Sequence, residues 1–183
     1  MFTAGYAVYL FVLFTVIALL EIQIEGKDGW AKNLPCWRPK TDSLAAKVYA
    51  GIMSGKELTG YHIFMFSLPL LILHLPFIAG IKWTLAKELQ IVSVNYLFSV
   101  IWDFLWFVWN PYYGVERFKP QFISWHKKWL GPVPQDYLAG VGLSFILAAI
   151  AGEKTEWAVF LAIELLLILF SVTMSASYLK RKS

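Results

Sequence analysis

Long apolar stretches separated by short polar ones are the main pattern of this chain. The first runs from Phe2 to Leu20 without a charged residue. At about 1.5 Å per residue, a helix of that length crosses a hydrocarbon core of about 30 Å. Four further apolar stretches follow, and together they predict an all-α integral membrane protein that forms a single domain over residues 1–183. The predicted bundle has five transmembrane helices, at about 2–25, 58–81, 88–109, 135–151 and 155–179.

Composition supports the bilayer as the main partner of the chain. Hydrophobic residues make up 58% and charged residues only 15%, whereas a soluble domain carries about 25% charged residues. This deficit excludes a disordered chain and a basic nucleic-acid-binding domain, so no nucleic acid partner is expected. A single cysteine, Cys36, excludes an internal disulfide.

The distribution of basic residues predicts the orientation of the helices. If five helices alternate in direction, all but three of the 16 Lys and Arg residues fall on one side, the exceptions being Lys82, Lys87 and Lys154. Lys and Arg are enriched in cytoplasmic loops. The N-terminus is therefore predicted to lie outside and the C-terminus in the cytoplasm. No Lys or Arg precedes Lys27, which favours an uncleaved first helix over a signal peptide.

The two longer loops, both on the predicted cytoplasmic side, each carry the pattern of a short amphipathic helix. Ser43 is an N-cap signal ahead of an apolar stripe of Leu44, Val48 and Ile52. In the second of these loops, aromatic residues recur at helical spacing: Phe118, Phe122, Trp125 and Trp129. Two short interfacial helices are therefore predicted.

Ionisable residues inside the predicted spans need an explanation, because each costs roughly 2.5–3.5 kcal/mol on the insertion scale. Five such residues stand out: Glu21, His62, His74, Asp103 and Glu164. Structural explanations exist for several of them. Glu21 could end the first helix at the interface, Asp103 could pair with a loop Lys or Arg, and His62 could be a hydrogen-bonded packing residue.

A functional explanation comes from depth. Glu21 and Glu25 share one helix face, and several other polar residues fall near the same cytoplasmic level. The predicted metal ligands are Glu21, Glu25, His62, Asp103 and His126. Carboxylates and imidazoles are ligands of Zn²⁺, Fe²⁺ and Mn²⁺, and Zn²⁺ is the ion we expect first. The chain has no HExxH motif, so the prediction rests on a constellation of residues.

These residues predict a membrane-embedded, metal-dependent enzyme, such as a hydrolase, that acts on a lipid-like substrate from the cytoplasmic face. Glu25 is the predicted general base. Supporting or substrate-binding roles are predicted for Asn110, Arg117, Lys127 and Lys128. Two alternatives stay open: an ion or proton transporter, and a non-catalytic membrane subunit or scaffold. A homo-oligomer is compatible with each of them.

His74 and Glu164 form a second candidate pair, in the outer half of the predicted bundle. They could hydrogen-bond and fix the register of two helices, or they could form part of a proton relay.

Overall fold

The computed structural model describes residues 2–53 and 55–180, and this part of the chain is mostly helical. It contains six α-helices: α1 Ala4–Glu25, α2 Leu44–Ile52, α3 Gly60–Ile78, α4 Leu85–Trp109, α5 Gln135–Ile150 and α6 Lys154–Lys180. A short 3₁₀ turn covers Val115–Arg117. Two short strands, β1 (Trp129–Leu130) and β2 (Val133–Pro134), pair antiparallel immediately before α5.

Four of these helices are long and apolar enough to cross a membrane: α1, α3, α4 and α6. The fifth predicted span corresponds to α5, which has only 16 residues. At about 1.5 Å per residue it is about 24 Å long, less than a hydrocarbon core of about 30 Å. An integral membrane protein with four long apolar helices is therefore supported, and five spans and the direction of the termini stay predictions.

Threonine and serine side chains cap the N-termini of four of the helices. Thr3, Ser43, Thr59 and Thr84 each accept a hydrogen bond from the backbone N–H three residues further on, which satisfies one of the donors left free at a helix start. The N-cap at Ser43 confirms the short helix predicted in the first long loop. None of the residues of α2 is buried, and its apolar stripe is exposed.

The interfacial helix predicted around residues 118–129 is wrong. No helix forms between Phe118 and Trp129, and Pro120, between the first two aromatic residues of the stripe, cannot donate a backbone hydrogen bond to one. Phe118, Trp125 and Trp129 pack against the core instead, while Phe122 is 48% exposed. Phe118 contacts Phe107 with ring centroids 5.0 Å apart, and Trp125 stacks on the same ring at 5.8 Å. The aromatic spacing therefore reflects packing against the end of α4.

Helix α4 is the centre of the bundle, and α1, α3, α5 and α6 all pack against it. Phe98 of α4 stacks on Phe14 of α1, with centroids 4.7 Å apart, and meets Phe160 of α6 edge to face at 6.0 Å. Where α4 meets α5, the Ser93 hydroxyl donates to the Ser144 carbonyl at 2.7 Å. In an apolar environment the hydrophobic effect does not drive helices together, and buried polar contacts of this kind help to join them.

Gly140 allows α5 to approach α4 closely, and this gives a first prediction. A Cβ atom at Gly140 would lie 2.7 Å from Cγ2 of Val100, whereas a Cβ at Gly142 would meet nothing within 4 Å. We expect Gly140→Val to destabilise the protein by about 1–3 kcal/mol through overpacking. Gly142→Val adds the same side chain on the exposed face of the same helix and should change little. Thermal unfolding in detergent measures both, and equal losses would contradict the packing described.

Candidate metal centre

The end of α1 and the start of α3 bring together three of the predicted ligands. Glu21 and Glu25 lie one turn apart on the last two turns of α1, and His62 lies in the first turn of α3. One ligand atom from each residue can be chosen so that all three lie within 4.8 Å of one another. Within residues 2–53 and 55–180, this is the one group of three or more His, Cys, Asp or Glu side chains with that geometry.

The three side chains are buried. Glu21 is 8% exposed and His62 2%, while the side chain of Glu25 is 4% exposed. The carboxylate of Glu25, the predicted general base, is thus almost fully enclosed. Nε2 of His62 lies 3.8 Å from Oε1 of Glu25. Two carboxylates this close and this buried repel one another unless a cation or bound protons neutralise them.

Thr59 and Trp30 hold the imidazole of His62 in place. The Thr59 hydroxyl lies 2.8 Å from Nδ1 of His62 and also caps the helix by accepting from the His62 backbone N–H. The Trp30 indole stacks on the imidazole with ring centroids 3.9 Å apart. When Nδ1–H donates to Thr59, Nε2 presents its lone pair toward Glu25, as a metal ligand must.

The segment after α1 folds over these residues and holds Glu25. Its backbone N–H at Ala31 donates to Oε1 of Glu25 at 2.5 Å. Trp30 and Ala31 both have positive φ, 46° and 50°, which is uncommon for residues other than glycine. Arg38 supports this turn by donating to the Ala31 carbonyl at 2.5 Å. The strained turn therefore aims a backbone donor at the carboxylate.

Gly29 lets the same segment lie against Trp125. It has a φ of 59°, and a Cβ atom there would fall 2.6 Å from the Trp125 ring. Only glycine fits this close approach. Trp125 in turn packs on Phe107 near the end of α4, so the cover over the acidic residues is attached to the central helix.

The acidic residues surround a cavity of about 30 Å³, which has room for a water molecule or an ion. Asp103 of α4 and four indole rings contribute to its walls. The complete lining is Glu21, Glu25, Trp30, His62, Phe66, Ser99, Trp102, Asp103, Trp106 and Trp125. Four of the five predicted ligands thus face one cavity, although Asp103 lies outside the close donor group.

Asp103 belongs to a second polar cluster beside the cavity. Its Oδ2 accepts a hydrogen bond from the Tyr137 hydroxyl and lies 3.0 Å from Nε2 of His126. Nδ1 of His126 lies 2.9 Å from Oδ2 of Asp136. Asp136 is also paired with Lys56, whose Nζ is 3.0 Å from the same oxygen. Both nitrogens of His126 are therefore engaged by carboxylates, so the structure does not present it as a metal ligand.

The charge of His126 follows from these neighbours. Burial would lower the pKa of the imidazole, but Asp103, and then Asp136 through its hydrogen bond, outweigh this effect and raise the pKa above the ordinary value. Lys56 opposes them more weakly. A protonated imidazole that donates to two carboxylates fits the geometry of both ring nitrogens.

The other predicted site residues lie outside the cavity lining. Nδ2 of Asn110 donates to the Gly26 carbonyl at 2.8 Å and its Oδ1 accepts from the backbone of Tyr112, so it ties the ends of α1 and α4 together. Arg117 donates to the Tyr112 carbonyl. Lys127 reaches the Gly55 carbonyl at 3.4 Å, and Lys128 is exposed.

The expected pairing of His74 with Glu164 is wrong. Nε2 of His74 lies 3.0 Å from Oε1 of Glu88, which stands at the start of the neighbouring helix α4. Trp83 donates to the other oxygen of Glu88. Glu164 is fully buried, and neither of its carboxyl oxygens has a hydrogen-bond partner within the described residues. His74 therefore pairs with Glu88 and not with Glu164.

Sequence reasoning missed Asp136, Lys56, Tyr137 and Thr59. Asp136 and Tyr137 stand at the start of the fourth apolar stretch, where a polar residue is an ordinary helix start. In the sequence, Lys56 is one of many basic loop residues, and nothing there indicates that it pairs with a carboxylate. A usable signal was the run Asp136-Tyr137, ten residues after His126 and at the same predicted level, because it supplies a carboxylate for a buried imidazole.

No family model, curated protein or solved structure matches this chain. Function is therefore inferred from the site itself, which combines a close group of two glutamates and a histidine with a neighbouring cluster of Asp103, His126 and Asp136.

The raised pKa of His126 predicts a pH-dependent contribution to stability. In the unfolded chain the imidazole titrates near pH 6.5. The contribution is therefore fully present below that pH and is lost as the pH rises through the higher value of the folded state. We expect the wild type to exceed His126→Gln by about 2 kcal/mol at about pH 6, the scale of hydrogen bonds to charged groups. This advantage should shrink by about pH 9.

Thermal unfolding of both proteins in detergent, at matched ionic strength, measures this difference. Lys128→Gln serves as a control because it changes an exposed residue of the same segment, and its stability should follow that of the wild type at both pH values. An advantage over His126→Gln that grows with rising pH would contradict the charged pair.

Proposed function

We propose that the protein binds one divalent metal ion, with Zn²⁺ best suited, between Glu21, Glu25 and His62. The observation that carries this proposal is the approach of their three ligand atoms to within 4.8 Å in a buried cavity. Catalytic zinc sites use three protein ligands from histidine and carboxylate and keep a further position open for water or substrate. A 2+ ion would also neutralise the two buried glutamates.

The surroundings of the cavity support a catalytic use of the metal. Thr59 fixes the histidine from behind, as the outer hydrogen-bond partners of zinc ligands do. The N–H of Trp106, which lines the cavity, has no hydrogen-bond partner among the described residues. A polar guest in the cavity would satisfy this donor. A bound metal would acidify a water molecule and polarise a carbonyl or phosphoryl oxygen.

We assign the general base to Asp103 in place of Glu25. Glu25 belongs to the close donor group and is bonded by the Ala31 N–H. Asp103 stands in the same cavity wall with its Oδ2 held by Tyr137 and His126. A carboxylate that stays off the metal can accept a proton from a water molecule in the cavity.

The position of the cavity supports our choice of substrate class. The site is formed at the ends of long apolar helices. Apolar rings line it: Phe66 from α3, Trp102 and Trp106 from α4, and Trp30 from the segment after α1. A substrate that arrives at this level must tolerate the bilayer. We therefore propose a metal-dependent enzyme, such as a hydrolase, that acts on a lipid-like or membrane-located substrate.

Metal content of the purified protein tests the site directly. We expect about one equivalent of Zn²⁺ in wild-type protein prepared in detergent without chelator. Glu25→Gln and His62→Ala should fall to background because each removes a ligand. Elemental mass spectrometry on size-fractionated protein gives the stoichiometry.

His74→Ala is the matched control, since it removes a histidine from the same helix without touching the cavity. It should keep the metal, and Asp103→Asn should keep it as well because Asp103 is outside the donor group. Metal at background in folded wild-type protein after incubation with Zn²⁺ would overturn the proposal. Metal retained in His62→Ala would overturn the assigned ligands.

A further inference from the structure

Glu164 is a buried residue of α6 that has no role in the site described above. It is near the middle of α6, and its side chain is 0% exposed. Phe160, one turn earlier on the same face, contacts Phe2 at 5.4 Å and Phe98 at 6.0 Å between ring centroids. Glu164 is thus enclosed where α6 meets α1 and α4.

The carboxyl group of Glu164 does not hold the helices together. Neither Oε1 nor Oε2 has a hydrogen-bond partner within residues 2–53 and 55–180. Buried polar groups that serve structure are hydrogen-bonded in nearly all proteins, and an ionisable residue in a membrane helix is costly to keep. A buried carboxyl without a structural bond therefore points to a ligand.

A proton is the ligand that fits. A metal ion would need further ligands, and among the described residues Glu164 belongs to no group of three or more His, Cys, Asp or Glu side chains with the geometry of a metal site. Within the described residues, no charged or polar side chain hydrogen-bonds to the carboxyl, which is fully enclosed. An unpaired anion in such surroundings neutralises itself by taking up a proton.

Two polar side chains lie on the same face of α6 between Glu164 and a groove that is open to water. Ser171 and Ser175 follow it at intervals of seven and four residues, which keep them on one helix face. Both are buried, at 3% and 2% exposure. Ser175 lines an open groove of about 520 Å³ between α6 and the loop at Pro111–Arg117.

We propose that Glu164 is a proton-binding site, which holds its proton as a neutral carboxylic acid and exchanges it with water from this groove past Ser175 and Ser171. The proton passes from the carboxyl oxygen to a water molecule, leaving a carboxylate, and returns by the reverse step. The site is separate from the acidic cavity and does not depend on a bound metal.

Infrared difference spectroscopy of the wild type against Glu164→Gln tests the proposal. The variant is close in shape and removes only this acid. At about pH 6 we expect the difference spectrum to contain the carbonyl stretch of a protonated carboxyl in an apolar environment. As the pH is raised to about 10, this band should be lost and carboxylate bands should replace it. Glu156→Gln, in the exposed first turn of α6, should leave the protonated band in place.

Two results would overturn the proposal. Carboxylate bands at about pH 6 would mean that an unseen cation pairs with Glu164. A protonated band that persists unchanged to about pH 10 would mean that the proton is locked and does not exchange.

The route is tested by the rate at which the carboxyl band shifts on transfer into D₂O. Ser171→Ala removes the hydroxyl without adding bulk at this buried position, and we expect it to slow this shift by about tenfold, equivalent to about 1.4 kcal/mol in the barrier. Ser177→Ala, on the exposed face of α6, is the control. An exchange rate that is the same in Ser171→Ala and the wild type would overturn the route.

Discussion

The carboxylates that meet at the end of an apolar helix bundle are the main constraint on the rest of this structure, because each of them needs a partner. Glu21 and Glu25 lie in α1 and Asp103 in α4, and all three face one cavity. Each of the three carboxylates has a different kind of hydrogen-bond partner. Glu25 receives a backbone N–H from a strained turn, Glu21 receives the Tyr61 hydroxyl at 3.3 Å, and Asp103 receives His126 and Tyr137. Of these three carboxylates, only the two glutamates have no cationic partner among the described residues, and the proposed metal ion is assigned to them.

The spacing of residues predicted the local part of the site well. Two glutamates four residues apart must share a helix face, and His62 was placed at the same level by counting along the predicted spans. Pairings between distant segments were harder. Asp136 meets His126 through a short hairpin that no periodicity indicated, and His74 meets Glu88 because α3 and α4 are joined by a tight connection.

The failed helix around Phe118 shows the limit of the same reasoning. Aromatic residues at helical intervals normally indicate one face of a helix, but Pro120 interrupts the hydrogen bonds that such a helix would need. The side chains were correctly identified as apolar and wrongly assigned to the membrane surface. Phe118 and Trp125 pack against Phe107 instead, and this places Trp125 and His126 beside the cavity.

The contact between Glu21 and Tyr61, formed across 40 residues of chain, has a consequence for the order of synthesis. When α1 is complete, the segment that covers Glu25 is only beginning to emerge, and neither Tyr61 nor His62 has been made. Until α3 is made, water is the partner that the two carboxylates can use, so the end of α1 cannot be enclosed before α3 arrives. The enclosure of the two acids is therefore completed by a segment that is synthesised after them.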